Sequence, residues 1–253
     1  MTIELDHFRE AFGALVHDMP VTAAIAFPPL FWAVLTGWVF DFGFELDLML
    51  WKTVAAAFFY ARMALAWHRW QLLGEAPGRG GARVGRGDRL RYQLFATGAC
   101  LGAICAAVFA MTLLAELLAV PDDALVVTMP VTAILLAAGI LYLGHRLPAR
   151  AIGLPVAAVP RLDPGCIAAG AVGFGLLWSG AQGGLRFAET LIAAPLVFDA
   201  LFQLSNALLA LGLAAYLVTA APGTWARGQA ANGTLRVTPR MRPGPGPVRP
   251  FGR

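Results

Sequence analysis

The chain has 253 residues, 58% of them hydrophobic and 13% charged, and a formal net charge of +4, a composition too apolar for an ordinary soluble globular domain. Its apolar residues come in blocks of about twenty, the length of helix that crosses about 30 Å of hydrocarbon, and they lack the ten-residue alternation of a transmembrane barrel, so an all-α polytopic membrane bundle is predicted. The positive charge does not point to nucleic acid, because the arginines fall mostly between apolar blocks, where membrane orientation accounts for them.

Residues 1–18 open the chain. Leu5, Phe8, Phe12 and Leu15 recur there at helical spacing, with Glu4, Asp6, His7, Arg9 and Glu10 in the other positions, which predicts a short amphipathic helix at the membrane interface. No basic stretch precedes the first apolar block and no small-residue cleavage pattern follows it, so it reads as a retained helix. Six crossings are predicted in the domain 19–221, at about 21–40, 48–70, 93–115, 125–144, 166–182 and 197–220.

In the first crossing, Pro28 and Pro29 remove two backbone donors and predict a kink. The second has Trp51 at one end and Trp67 and Trp70 at the other, as expected for amphipathic rings at headgroup depth. Lys52 and Arg62 stand out within it, because a cation at mid-bilayer costs about 2.5–3.5 kcal/mol on insertion scales. After it comes a Gly- and Pro-punctuated loop carrying Arg79, Arg83, Arg86, Arg89 and Arg91. This loop reads either as a contact for anionic lipid headgroups, worth about 1 kcal/mol per arginine near the surface, or as a flexible loop obeying the positive-inside rule. It lacks the preceding strand and the Gly-Lys-Ser/Thr ending of a phosphate-binding loop.

The third crossing places Gly98, Gly102, Ala106 and Ala110 four residues apart, a small-residue face that admits another helix backbone, from the same bundle or from a second chain. An acidic turn with Pro121, Asp122 and Asp123 leads to the fourth crossing, which carries Pro130; the segment from His145 to Pro164 then holds too many prolines to form one regular helix. The fifth crossing, 166–182, is near the lower limit for spanning and is expected to end at Gly183 and Gly184. In the sixth, Asp199, Gln203 and Asn206 follow i, i+4, i+7 spacing and should face the bundle interior. They read either as a polar cavity or ion path, or as an interhelical hydrogen-bond cluster. The tail, 222–253, is dense in Pro, Gly and Arg without an apolar face, and is expected to be disordered.

Charge orients the bundle. Six crossings put the N-terminus, the second and fourth loops and the tail on one side, and that side receives Arg9, Arg69, the loop arginines, Arg146, Arg150, Arg161 and the arginines of the tail. Both termini are therefore predicted to be cytoplasmic. Lys52 and Asp199 then lie toward the same outer surface, which allows an ion pair; the alternative is snorkelling, Lys52 outward and Arg62 inward.

His7, His17, His68 and His145 are scattered over separate segments, and Cys100, Cys105 and Cys166 form no Cys-x-x-Cys pair, so neither a catalytic constellation nor a metal or other cofactor is expected. Two stretches, WHRWQLLGE from Trp67 to Glu75 and HRLPARAIG from His145 to Gly153, resemble a pattern in uncharacterised multi-pass membrane proteins of bacteria. The resemblance implies a bacterial inner-membrane location and no particular activity. The reading that follows is a non-enzymatic scaffold or accessory subunit whose partners are the bilayer, its anionic lipids and another membrane protein. The alternative is a small-molecule or ion transporter using the second and sixth crossings, although no inverted repeat of broken helices accompanies it.

Overall fold

The computed structural model describes residues 2–43, 49–75, 86–118, 125–154, 161–192 and 194–220. Among these residues every regular element is helical: α1 (Thr2–His17), α2 (Met19–Gly43), α3 (Met49–Leu73), α4 (Arg86–Leu118), α5 (Leu125–Gly144), α6 (Leu147–Ala151), α7 (Pro164–Leu191) and α8 (Pro195–Thr219). Four of them contain stretches long and apolar enough to cross a membrane, Met19–Phe40, Gly87–Leu114, Pro164–Leu191 and Pro195–Thr219, as in a multi-pass membrane protein. The described apolar stretch of α5 is shorter, Thr128–Gly144, and α3 carries Lys52, Arg62, His68 and Arg69.

Helix ends follow local chemistry. Pro164 and Pro195 open α7 and α8, and Pro148 lies in the first turn of α6, positions where a missing N–H has no intrahelical partner to lose. At the end of α3, Gly74 takes φ +66° and donates its N–H to the Trp70 carbonyl at 2.9 Å. The end of α6 is a Schellman motif: Gly153 at φ +75° donates to the Arg150 carbonyl at 3.3 Å, and the Leu154 N–H reaches the Ala149 carbonyl at 2.9 Å. A Cβ at Gly153 would meet nothing within 4 Å, so the cost of Gly153→Ala is backbone strain alone, about 1–2 kcal/mol. Thermal unfolding in detergent should show the loss; an unchanged midpoint would mean that this cap contributes nothing to stability.

The core is organised around α8, where Leu211, Leu213, Ala214, Ala215 and Tyr216 are buried. This helix touches α1, α2, α3, α5 and α7. Between α5 and α7 the backbones come very close, since a Cβ on Gly175 would lie 2.7 Å from both N and Cα of Ile134. The short α6 wedges Leu147 and Ala151 against Ala61, Leu65, Tyr92 and Ala96, while Ala149 joins Leu72, Ile152 and Leu154.

At the N-terminal end, α1 turns its Ala11 and Leu15 face onto α7 and α8, with the Phe8 ring 4.8 Å from that of Phe174. Phe12, expected on the same apolar face, is half-exposed. The chain passes from α1 into α2 at Asp18, whose carbonyl accepts the N–H groups of Val21 and Thr22 at 2.9 Å.

Several expectations change in detail. The crossing expected over 166–182 belongs to α7, a helix of 28 residues that continues through Gly183 and Gly184 to Leu191. Interior glycines cost a helix about 1 kcal/mol each relative to Ala, which the flanking turns offset here. The basic loop is shorter than expected, because α4 begins at Arg86 and takes Arg86, Arg89 and Arg91 into its first turns. Trp67 is fully buried in the core, whereas Trp51 is exposed. On α4 the inward residues are Ala96, Ala103 and Ala107; Gly98, Gly102 and Ala106 are exposed and Ala110 is half-buried. A Cβ on Gly98 would meet nothing within 4 Å, and one on Gly102 only Leu143 Cδ1 at 3.6 Å. The tail and the acidic turn at Asp122 and Asp123 lie outside the described residues.

Candidate functional site

The polar side chains inside the bundle form two layers. The first follows the polar stripe of α8. Lys52, in the first turn of α3, places Nζ 3.6 Å from Asp199 Oδ1, with each side chain about a quarter exposed (24% and 26%). Gly37 of α2 makes room for the pair: a Cβ there would stand 3.2 Å from Lys52 Cε and 3.7 Å from Asp199 Oδ2. The second carboxylate oxygen, Oδ2, is buried without a hydrogen-bond partner.

Below that pair, Gln203 is buried and receives the Tyr60 hydroxyl, which donates to Gln203 Oε1 and, at 3.1 Å, to the Gln203 carbonyl. Asn206 follows. Its Oδ1 accepts from Trp178 Nε1 at 2.8 Å and from Gln182 Nε2 at 3.2 Å, both on α7. Asp199, Gln203 and Asn206 are thus shared out between α3 and α7, and each is engaged by a side chain of a neighbouring helix. Arg62 is not part of this layer; it is exposed on the outside of α3.

The second layer lies at the other end of α3, where the two stretches WHRWQLLGE and HRLPARAIG meet. Arg69 is buried and donates through Nε to Glu75 Oε2 at 2.7 Å and through Nη2 to Glu75 Oε1, forming a forked pair. Its third donor, Nη1, reaches the Ala151 carbonyl at 2.8 Å and so ties α3 to the last residue of α6. One residue earlier, His68 has no exposed surface; its Nε2 is 3.1 Å from the Ala214 carbonyl and its Nδ1 is 2.9 Å from the Tyr92 hydroxyl. A carbonyl can only accept, so Nε2 carries the proton and Nδ1 accepts from Tyr92, an assignment in which neutral imidazole satisfies all three groups. Together Arg69 and His68 join α3 to α4, α6 and α8.

Arg79 and Arg83 lie outside the described residues, as does the side chain of Arg86; Arg91 is largely exposed, 3.8 Å from Asp88 one turn earlier. Among the described residues no group of three or more His, Cys, Asp or Glu is placed to hold a metal ion.

The sequence picked out the α8 stripe and allowed the pairing of Asp199 with Lys52, but not the partners of Gln203 and Asn206. Tyr60, Trp178 and Gln182 look unremarkable in sequence as single residues of apolar helices, and which of them meets the stripe depends on helix rotation. Glu75 and Arg69 carried a signal: opposite charges six residues apart across a helix-ending glycine.

The chain matches no family model, no curated protein and no solved structure.

Proposed function

We propose that this chain is a six-crossing protein of the bacterial inner membrane, with both termini in the cytoplasm, that acts as a non-enzymatic scaffold or accessory subunit. In addition to the four long apolar helices, α3 with 25 residues and α5 with 20 are about 38 and 30 Å long at 1.5 Å per residue, sufficient to span the hydrocarbon. That count puts Arg69, Arg91, Arg146, Arg150 and Arg161 on the side assigned to the cytoplasm. On this reading the basic segment from Arg79 to Arg91 faces anionic headgroups of the inner leaflet.

The observation that carries the scaffold role is the use of polar side chains. The stripe of α8 and the belt around His68 and Arg69 are engaged by other helices, the arrangement of a bundle held in one geometry. One observation favours transport as the second reading: Asp199 keeps one buried oxygen without a hydrogen-bond partner, and its contact with Lys52, at 3.6 Å, is longer than a hydrogen bond.

The full chain, purified in native nanodiscs and weighed intact by mass spectrometry, separates the two. A membrane-protein partner at fixed stoichiometry, retained by Asp199→Asn, supports the scaffold reading. A chain isolated alone with a bound small molecule, lost in Asp199→Asn, overturns it in favour of transport.

A further inference from the structure

Arg146 and Arg150 stand one turn apart along α6, immediately after α5 ends at Gly144. Residues at i and i+4 project from the same face of a helix, so the two arginines share one face. Both are half-buried, and the Nε atom of each is buried without a hydrogen-bond partner. Neither makes an ion pair with the described residues. Of the acids near this end, Glu75 is held by Arg69 and Asp88 faces Arg91.

Arg150 is further fixed by the Phe95 ring of α4, whose centroid lies 4.1 Å from its Cζ. Apolar side chains lie exposed beside this position, Leu94 and Phe95 on α4 and Tyr142 and Leu143 on α5. Two neighbouring cations without a counter-charge, set above an exposed apolar surface, match an ionised phosphodiester with acyl chains attached. Guanidinium forks bind phosphate oxygens in pairs, and the fixed position of Arg150 reduces the rotamer entropy that binding must overcome.

We infer that Arg146 and Arg150, with Phe95 beneath Arg150, form a binding site for the headgroup of one anionic phospholipid, its acyl chains lying along the outer face of α4 and α5. The site rests on the proposed membrane boundary at this end of the bundle and not on the scaffold role. It differs from diffuse attraction to the basic loop because both arginines are carried by the backbone of a buried helix and its cap, and Arg150 is held by the Phe95 ring.

The test is native mass spectrometry of the full chain in neutral detergent, titrated separately with phosphatidylglycerol and phosphatidylcholine. One phosphatidylglycerol per chain is expected to be retained in preference to phosphatidylcholine. Arg146→Gln/Arg150→Gln should weaken that retention about twenty-five-fold, about fivefold per arginine, with phosphatidylcholine retention unchanged. If the double variant loses its cooperative unfolding, Arg150→Gln alone carries the test, with about a fivefold loss expected. Phosphatidylglycerol retention within twofold of the parent chain in the folded variants overturns the site. Displacement of the lipid by millimolar inorganic phosphate assigns the arginines to a free anion and overturns the lipid assignment. Failure to retain either phospholipid overturns the membrane boundary together with the site, whereas the absence of a protein partner bears on the scaffold role alone.

Discussion

Replacing Glu75 by Ala is expected to destabilise the folded chain by about 3 kcal/mol, because it leaves the Arg69 guanidinium buried with its fork empty. The lower end of the usual range for breaking a buried pair applies, since the Glu75 side chain is 24% exposed and water can reach part of the gap. The pairing has a characteristic sign in a double-mutant cycle. Removing both charges, as in Arg69→Met/Glu75→Ala, takes away the unpaired cation and costs less than Glu75→Ala alone; the remaining loss is the donor to the Ala151 carbonyl, about 1–2 kcal/mol. Thermal or denaturant unfolding of the parent chain, Glu75→Ala, Arg69→Met and the double variant in one detergent measures the cycle. A Glu75→Ala chain within about 0.5 kcal/mol of the parent would sink the argument that this pair is an energetic link between α3 and α6.

The second large effect belongs to Gly175. Alanine there would put a Cβ 2.7 Å from N and Cα of Ile134, and because those atoms are backbone, no rotamer change can relieve the contact. The helices α5 and α7 must separate, for about 1–3 kcal/mol. Gly180 lies on the same helix and supplies the control: a Cβ there meets nothing within 4 Å, so Gly180→Ala should stabilise the chain by roughly 0.5–1 kcal/mol through helix propensity. The two substitutions are chemically identical and opposite in expected sign. Equal unfolding midpoints for the two variants would contradict the close approach of α5 and α7.

Much of the helical layout is legible in the sequence because the length of an apolar block is a property of the chain itself. The start of α5 at Leu125, the stop of α3 at Gly74 and the inward-facing stripe Asp199, Gln203 and Asn206 can all be read from spacing and turn chemistry. What spacing leaves open is rotation about each helix axis. The repeat Gly98, Gly102, Ala106, Ala110 and the neighbouring set Ala96, Ala103, Ala107 are both runs of small residues, and only packing against Gly139 decides that Ala103 faces inward. The same ambiguity separates Lys52, which meets Asp199, from Arg62, which projects outward on the same helix. Gly183 and Gly184 resemble a stop signal, yet the helix continues through them to Leu191. Arg69 looks like one more charge at a helix end until Ala151, far along the chain, is brought beside it.

The docking of α1 has a consequence for biogenesis. Its surface is made by Phe174 and neighbouring parts of α7 and α8, and the Thr219 hydroxyl at the end of α8 donates to the His7 carbonyl at 3.3 Å. Because α1 precedes α7 and α8 in the chain, it lacks its binding surface until those two helices have been made, on the order of ten seconds or more later at ordinary rates of translation. Its transfer onto α7 and α8 marks the completion of the bundle.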